Sequence, residues 1–166
     1  MTSASYCHIS HPIAPVWDTE CKILILGSFP SVRSRDIMFF YGHPQNRFWR
    51  VCASVFETEI PQSTEEKIKF LLSNHIALWD VVASCDIRSS SDSSIRNVIP
   101  NDLSPILNAS RIQHIFTNGT AATKLYEKFL YPVTNIPAVF LPSTSPANAS
   151  YSLKKLCDAW EVIRSY

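Results

Sequence analysis

Apolar residues fall along this chain in short bursts, and the spacing inside each burst predicts its element. Residues 21–26, CKILIL, make a compact aliphatic run that stops at Gly27, the pattern of a buried strand. Over 46–56, NRFWRVCASVF, the apolar Phe48, Val51, Cys52 and Val55 recur at helical spacing and predict a helix with one buried face. Ser63 precedes Glu66 in a capping-box arrangement ahead of IKFLL, so a helix should run to Asn74. IALWDVVA over 76–83 is a second strand-like run, HIFT over 114–117 a third and AVFL over 138–141 a fourth. Further helices are expected from an Asn101 cap through Leu107 and from Thr120 to Phe129. The last should open at Ser150 or Ser152 and reach about Arg164, with Leu153, Leu156, Trp160 and Ile163 inward.

Strands separated by helices predict an α/β domain with a largely parallel sheet. Open sheets of this kind bind ligands beyond the carboxyl ends of their strands. Four segments follow strands here: Gly27–Asn46, Ala83–Asn97, Asn118–Thr120 and Pro142–Asn148. The chemistry is expected there.

Composition narrows the class. The chain has 166 residues, a length that predicts one domain. We expect residues 1–20 to be an N-terminal tail or arm, with His8 and His11 in it, and 21–166 to be that domain. Hydrophobic residues at 46% and charged residues at 17% supply a full core and argue against disorder. No apolar run reaches the roughly 18 residues of a membrane span, and no basic-then-apolar leader opens the chain. Five cysteines, an odd number without a CxxC pair, fit free thiols in a reducing cytoplasm, bacterial or archaeal. A net charge of +1 settles nothing about partners, so any nucleic-acid reading must rest on where the arginines fall.

They fall in the nominated segments. GSFPSVRSRDIMFFYGHPQN, long and without periodicity, carries Arg33 and Arg35, then Phe39, Phe40 and Tyr41, and Asn46 leads into Arg47 and Arg50. Arginine interleaved with aromatics suits phosphate contact and base stacking, although the same residues could pack a core under a solvated rim. SCDIRSSSDSSIRN sets Arg88 and Arg96 around hydroxyls that could meet phosphates or form an ordinary surface loop. LPSTSPANAS turns just before a helix, where backbone N–H groups could meet an anion or simply cap the helix. A GxSxG nucleophile elbow is absent, and glycines at 27, 42 and 119 cannot form GxGxxG or GxxxxGK. The five histidines contain no HExxH or HxxxH pair, so no metal or other cofactor is expected.

Three segments taken together carry a resemblance: Gly27-Ser-Phe-Pro-Ser31, Tyr41-Gly-His-Pro-Gln-Asn-Arg-Phe-Trp49 and Pro142-Ser-Thr-Ser-Pro-Ala-Asn148. With Ala77-Leu-Trp-Asp-Val81 and Asn118-Gly119, the chain resembles the uracil-DNA glycosylase superfamily, most of all its hypoxanthine (deoxyinosine) branch, from about Lys22 to the C-terminus. The resemblance implies a three-layer α/β/α sandwich around a four-stranded, mainly parallel sheet. It implies metal-free hydrolysis of the bond between a deaminated base and deoxyribose, the first step of base-excision repair. The implied partner is double- or single-stranded DNA holding such a base, met by a monomer without a membrane. One departure stands out. Mismatch-specific uracil enzymes place a water-holding Asn where this chain has Phe29; in the deoxyinosine branch that task goes to the position of Asn46.

The expected site follows. Asn46 is the catalytic candidate. Tyr41 should stack on the flipped base, with Gly27, Ser28, Phe29, His43 and Asn118 around it. Asp80, a carboxylate in an apolar strand, needs a partner, which a purine N–H or a backbone amide would supply. Ser31, Arg33, Arg35, Arg88, Ser143, Ser145, Pro146, Ala147 and Asn148 are the candidates for DNA contact, Pro146 and Ala147 entering the duplex beside the lesion. Hydrolysis builds positive charge on the sugar and negative charge on the base, so a neutral Asn that orients water suffices without a strong base. Three rival readings remain: a uracil or mismatch glycosylase, a damage-binding module without catalysis, and a small-molecule nucleoside hydrolase.

Overall fold

The computed structural model describes residues 4–166. In chain order its strands are β1 (Cys7–Ser10), β2 (Ile23–Gly27), β3 (Ile76–Asp80), β4 (Val82–Ile87), β5 (Arg96–Pro100), β6 (His114–Asn118) and β7 (Ala138–Leu141). The helices are α1 (Val32–Ile37), α2 (Phe48–Val55), α3 (Thr64–Ser73), α4 (Ser104–Ala109), α5 (Thr120–Phe129), α6 (Tyr131–Thr134) and α7 (Leu153–Trp160), the last continued by a 3-10 turn over Glu161–Ser165.

The central sheet has the order β3-β2-β6-β7, and every pairing in it is parallel. β2 is buried along both faces, as a central parallel strand must be, so its run reads as continuously apolar rather than alternating. Ile23 and Ile25 point into one core with α2 and α7; Leu24 and Leu26 point into a second core with α4, α5 and β4. This is the three-layer sandwich that the sequence resemblance implies. From β2 the chain reaches β3 on one side and later β6 on the other. The order therefore reverses beside β2, and a crevice opens beyond Gly27 and Asn118.

Four helices begin or pack as their sequences predict. Ser63 accepts from the Glu66 N–H at 3.0 Å while the Glu66 carboxylate takes the Gln62 N–H at 2.8 Å, one residue before the cap itself. Phe48, Val51, Cys52 and Val55 are all buried in α2. α5 spans the expected residues, and Ser152 caps α7 through the Lys155 N–H. Within the last segment Leu156, Trp160 and Ile163 point inward, but Leu153, in the first turn, is 42% exposed.

Elsewhere the structure differs from expectation. The long segment after β2 contains α1, capped by Ser31 and closed by Met38 at φ 59°. Its Val32 and Ile37 are exposed, so it leaves no apolar periodicity to read. The segment after β3 is not one loop: β4 and β5 pair antiparallel, and β1 joins them as a small second sheet, β1-β4-β5. Asn101 does not cap α4; it is buried and its amide donates to the carbonyls of Asp80 at 2.9 Å and Val82 at 3.2 Å. The Asp102 carboxylate takes the Ser104 N–H instead, at 2.9 Å.

Of the residues expected as a tail or arm, 1–3 lie outside the described residues, and the rest are packed on the domain. β1 pairs with β4 in register from Cys7↔Ile87 to Ser10↔Ser84. Val16 exchanges both backbone hydrogen bonds with Leu78 at 3.0 and 2.9 Å, which covers part of the outer edge of β3. Ile13 and Val16 belong to the main core.

Candidate active site

A cavity of about 380 Å³ opens where the sheet order reverses, within the usual size of a small-ligand site. All four nominated segments line it. They are joined by Asp80 from the end of β3.

Two glycines let this cavity form. A Cβ at Gly27 would lie 2.4 Å from the Asp80 Oδ1 and 2.9 Å from the Tyr41 hydroxyl. Gly119 holds φ +96°, which side chains resist, and a Cβ there would lie 2.9 Å from the Ser143 Cβ. Both positions are close approaches between strand ends and the loops that face them.

Asn46 anchors one wall. Its Oδ1 accepts from the Phe48 N–H at 2.9 Å and from the Thr144 hydroxyl at 2.9 Å. Thr144 in turn exchanges two bonds with Asn118, whose Nδ2 donates to its hydroxyl at 3.0 Å and whose Oδ1 accepts its N–H at 3.1 Å. The backbone N–H fixes which end of the Asn46 amide is oxygen, so Nδ2 is the end left for the cavity. Arg47 pins the serine–proline loop from below, donating to the carbonyls of Asn148 at 3.0 Å, Ser145 at 3.4 Å and Tyr151. Inside that loop Ser143 accepts the Ser145 N–H, Ser145 accepts the Ala147 N–H, and Asn148 donates to the Ser143 carbonyl.

Tyr41 lies between this wall and the floor. Its ring stacks on Phe48 with centroids 4.1 Å apart and planes at 17°, and its backbone takes φ 53°. The hydroxyl is buried without a hydrogen bond of sound geometry. Burial pushes this phenol well above its ordinary pKa, the Asp80 charge adds to that, and the nearby Asn118 amide only partly offsets it. Tyr41 is therefore a neutral donor without an acceptor among the described residues.

Asp80 forms the floor. It is only 4% exposed, and its Oδ2 accepts from His11 Nε2 at 2.7 Å. The opposite wall carries a second carboxylate. Asp92, in the serine-rich loop, takes a 2.8 Å bond from the Ser28 hydroxyl to its Oδ1. Burial of that carboxylate raises its pKa above the usual value; the Ser28 bond lowers it in part, and Asp80 raises it further. Phe29 is buried against the cavity with its ring edge-on to His11, 5.8 Å away, and His43 lies exposed at the rim.

The basic residues divide. Arg33 is exposed and makes no hydrogen bond to the protein among the described residues. Arg35 is engaged internally, donating to the Ser89 carbonyl at 3.0 Å with its guanidinium 5.7 Å from the Phe29 ring. Arg88 and Arg96 flank the Tyr6 ring at 4.2 and 3.4 Å. Ser31 spends its hydroxyl on the cap of α1. Sequence reasoning missed His11, Asp92, Thr144 and the loop-pinning part of Arg47. His11 had been read as tail, and Asp92 is a lone acid in a run of serines. Among the described residues no group of three or more His, Cys, Asp or Glu could hold a metal ion, and no helix is long and apolar enough to cross a membrane.

An open parallel sheet whose reversal point carries a polar cavity, walled by an aromatic loop and a tied serine–proline loop, matches the arrangement that the sequence resemblance implies. The model of the uracil DNA glycosylase superfamily matches residues 14–164. A hypoxanthine DNA glycosylase of Methanosarcina acetivorans is 35% identical over 150 residues, 89% of this chain and 93% of that protein. One from Methanosarcina barkeri is 31% identical over 148 residues, 88% and 92% of the two chains. A solution NMR structure from Methanosarcina acetivorans, described as a candidate uracil DNA glycosylase, superposes with a TM-score of 0.79 at 33% identity, covering 92% of this chain and 95% of that one. The chain belongs to the uracil DNA glycosylase superfamily. It is a DNA glycosylase of base-excision repair, and DNA is its substrate.

Proposed function

We propose that the base removed is hypoxanthine, taken from DNA by a monomer acting without a cofactor. The observation that carries this is the floor of the cavity: a buried carboxylate, Asp80, with one oxygen held by His11 and the other left to an incoming base. A 6-oxopurine offers an N1–H to such an acceptor. Adenine offers a lone pair at that atom and is refused. The names of both Methanosarcina relatives support the same substrate.

The reaction then follows from the walls. The deoxyinosine nucleotide leaves the stack and enters the cavity, because the sugar carbon is otherwise out of reach. Tyr41 and Phe29 border the base, and the phenol has a hydrogen bond to give. Asn46 presents Nδ2 to the oxygen of a water, leaving the other lone pair of that water for C1′. As the C1′–N9 bond breaks, its electron pair leaves on the purine, and the water oxygen bonds to C1′. The water's surplus proton passes to a carboxylate of the cavity, a role supported for Asp92 by its place in the cavity lining. The serine–proline loop, from Ser143 to Asn148, is held rigid to meet backbone phosphates, with Pro146 and Ala147 filling the vacated stack.

A uracil-excising reading keeps one specific support, the description of the NMR neighbour, and uracil also carries an N–H that Asp80 could accept. Single-turnover cleavage of matched duplexes, with hypoxanthine or uracil opposite the same base, separates the two. Hypoxanthine should be released at least about tenfold faster, the value of one mismatched hydrogen bond. Equal rates would move the protein to the uracil branch.

A further inference from the structure

We propose that His11, from the N-terminal arm, is a positioning residue: it fixes Asp80 as an acceptor for the N1–H of a 6-oxopurine and so sets the choice against purines with a lone pair at N1. The inference rests on the hypoxanthine reading of the site and adds to it the residue that makes the selection strict.

The tautomer of His11 is set by its neighbours. The Ile13 N–H donates to Nδ1 at 3.2 Å, so that nitrogen carries a lone pair and the ring proton sits on Nε2. Nε2 then donates to the Asp80 Oδ2 at 2.7 Å, with the two side chains 3% and 5% exposed. A carboxylate this deeply buried needs a hydrogen-bond donor. His11 supplies it from one side only. Among the described residues no protein donor reaches Oδ1, which faces the space over Gly27 beside the Tyr41 hydroxyl. Tyr41 and Asp92 face the same cavity, and neither supplies a positive charge. Rings of Phe29, Phe40 and Trp79 surround the imidazole within 6.4 Å and prevent it from turning away. The arm is thus part of the site, and its pairing with β3 and β4 holds the imidazole under the base.

Without that donor the Asp80 carboxyl is no longer held by one oxygen and can turn its free edge away from the base. The N1–H of a 6-oxopurine then loses a fixed acceptor, and an N1 lone pair is no longer opposed by one. His11 therefore acts on selectivity, and the ratio of two substrates reads it independently of how much enzyme is folded.

The test uses single-turnover excision from duplexes carrying hypoxanthine or unsubstituted purine, which has a lone pair at N1 and no 6-oxygen. Two variants separate the halves of the imidazole. His11→Asn keeps an acceptor for the Ile13 N–H but is too short to reach Asp80; His11→Gln extends an amide donor to it. The hypoxanthine-to-purine ratio should fall roughly tenfold or more in His11→Asn and return to within about threefold of wild type in His11→Gln. A wild-type ratio in His11→Asn overturns the inference while leaving the hypoxanthine reading intact. Failure of the wild-type protein to release hypoxanthine removes both. Should His11→Asn not fold, Asp80→Asn carries the test, because the His11 Nε2–H then holds the amide oxygen and turns Nδ2 to the base. The ratio should fall roughly tenfold or more, and an unchanged ratio overturns the proposal.

Discussion

The two walls of the cavity are built by opposite means. The wall of Asn46, Asn118 and residues 142–151 is a closed hydrogen-bond network in which Thr144 bonds both asparagines and Arg47 gathers three carbonyls. The wall of residues 28–35 and 88–94 is joined by single ties, Ser28 to Asp92, Val32 to Ser90 and Arg35 to Ser89, and its outer surface is exposed. The first wall carries no ionisable group turned to the base. The second carries Asp92, whose pKa its surroundings raise. A network cross-tied by many hydrogen bonds holds geometry, whereas a loosely tied carboxylate can take and give a proton. On the proposed mechanism the work divides accordingly: the first wall would place water and DNA, and the second would handle the proton.

Breaking the rigid wall should have the largest effect. Asn46→Ala should lower single-turnover release of hypoxanthine by about a hundredfold or more, in the range seen when one positioned polar group is lost from an active site. Duplex affinity should change little. Because Asn46 also accepts the first N–H of α2, that of Phe48, thermal unfolding should record a loss of about 1 kcal/mol alongside. Cleavage at the wild-type rate by a folded variant would refute the role given to this amide and with it the contrast between the walls.

That contrast was only half legible in the sequence. The parallel sheet could be read because its strands are short apolar runs between helices, and α2 and α5 because one face of each is periodic. Gly27 and Gly119 pointed to close approaches because so few glycines remain in the chain. The rigid wall could also be read, since Asn46 and the 142–148 loop lie in short, distinctive motifs. The looser wall could not. Asp92 sits in a serine run whose composition suggests surface, and only the pairing of β4 with β5 carries it over Ser28. His11 was hidden for a different reason. Its segment, SHPIAPV, is broken by prolines into single apolar residues with no period, and its meaning depends on contact with a strand 69 residues away in sequence. Local patterns report local structure; a dyad made across that distance leaves none.

The proton-handling wall is tested by pH. Asp92 has a raised pKa, so its ionised form is lost at a higher pH than for an ordinary carboxylate. If the ionised form accepts the water's proton, the single-turnover rate should fall as pH drops through that raised value. Asp92→Asn should be slower by about tenfold near neutral pH, less than the usual general base effect of roughly a hundredfold or more, because the cationic sugar needs little help from a base. Its acid limb should move down or vanish. The limb should not move in a Thr144→Val control from the rigid wall, which should lower the rate uniformly across pH. An acid limb unchanged in Asp92→Asn would assign the proton to another group.

The smallest effect distinguishes arginines on the outside of the looser wall. Arg33 is exposed and free of protein partners among the described residues, and Arg88 lies over Tyr6, so both guanidiniums are available to phosphates. Arg35 is committed to the Ser89 carbonyl and the Phe29 ring, and should hold the wall together instead. With a net charge of only +1, DNA affinity depends on a few local cations and should weaken steeply with salt. Arg33→Ala and Arg88→Ala should each weaken duplex binding a few-fold and reduce the slope of log affinity against log salt by about one, the signature of one lost phosphate contact. Arg35→Ala should leave that slope nearly unchanged while lowering the thermal midpoint, since it removes a hydrogen bond and the packing of a guanidinium on an aromatic ring. Titrations at several salt concentrations give the three slopes directly. If Arg35→Ala flattens the slope as much as Arg33→Ala does, Arg35 reaches the backbone despite its internal ties, and the looser wall must rearrange when DNA binds.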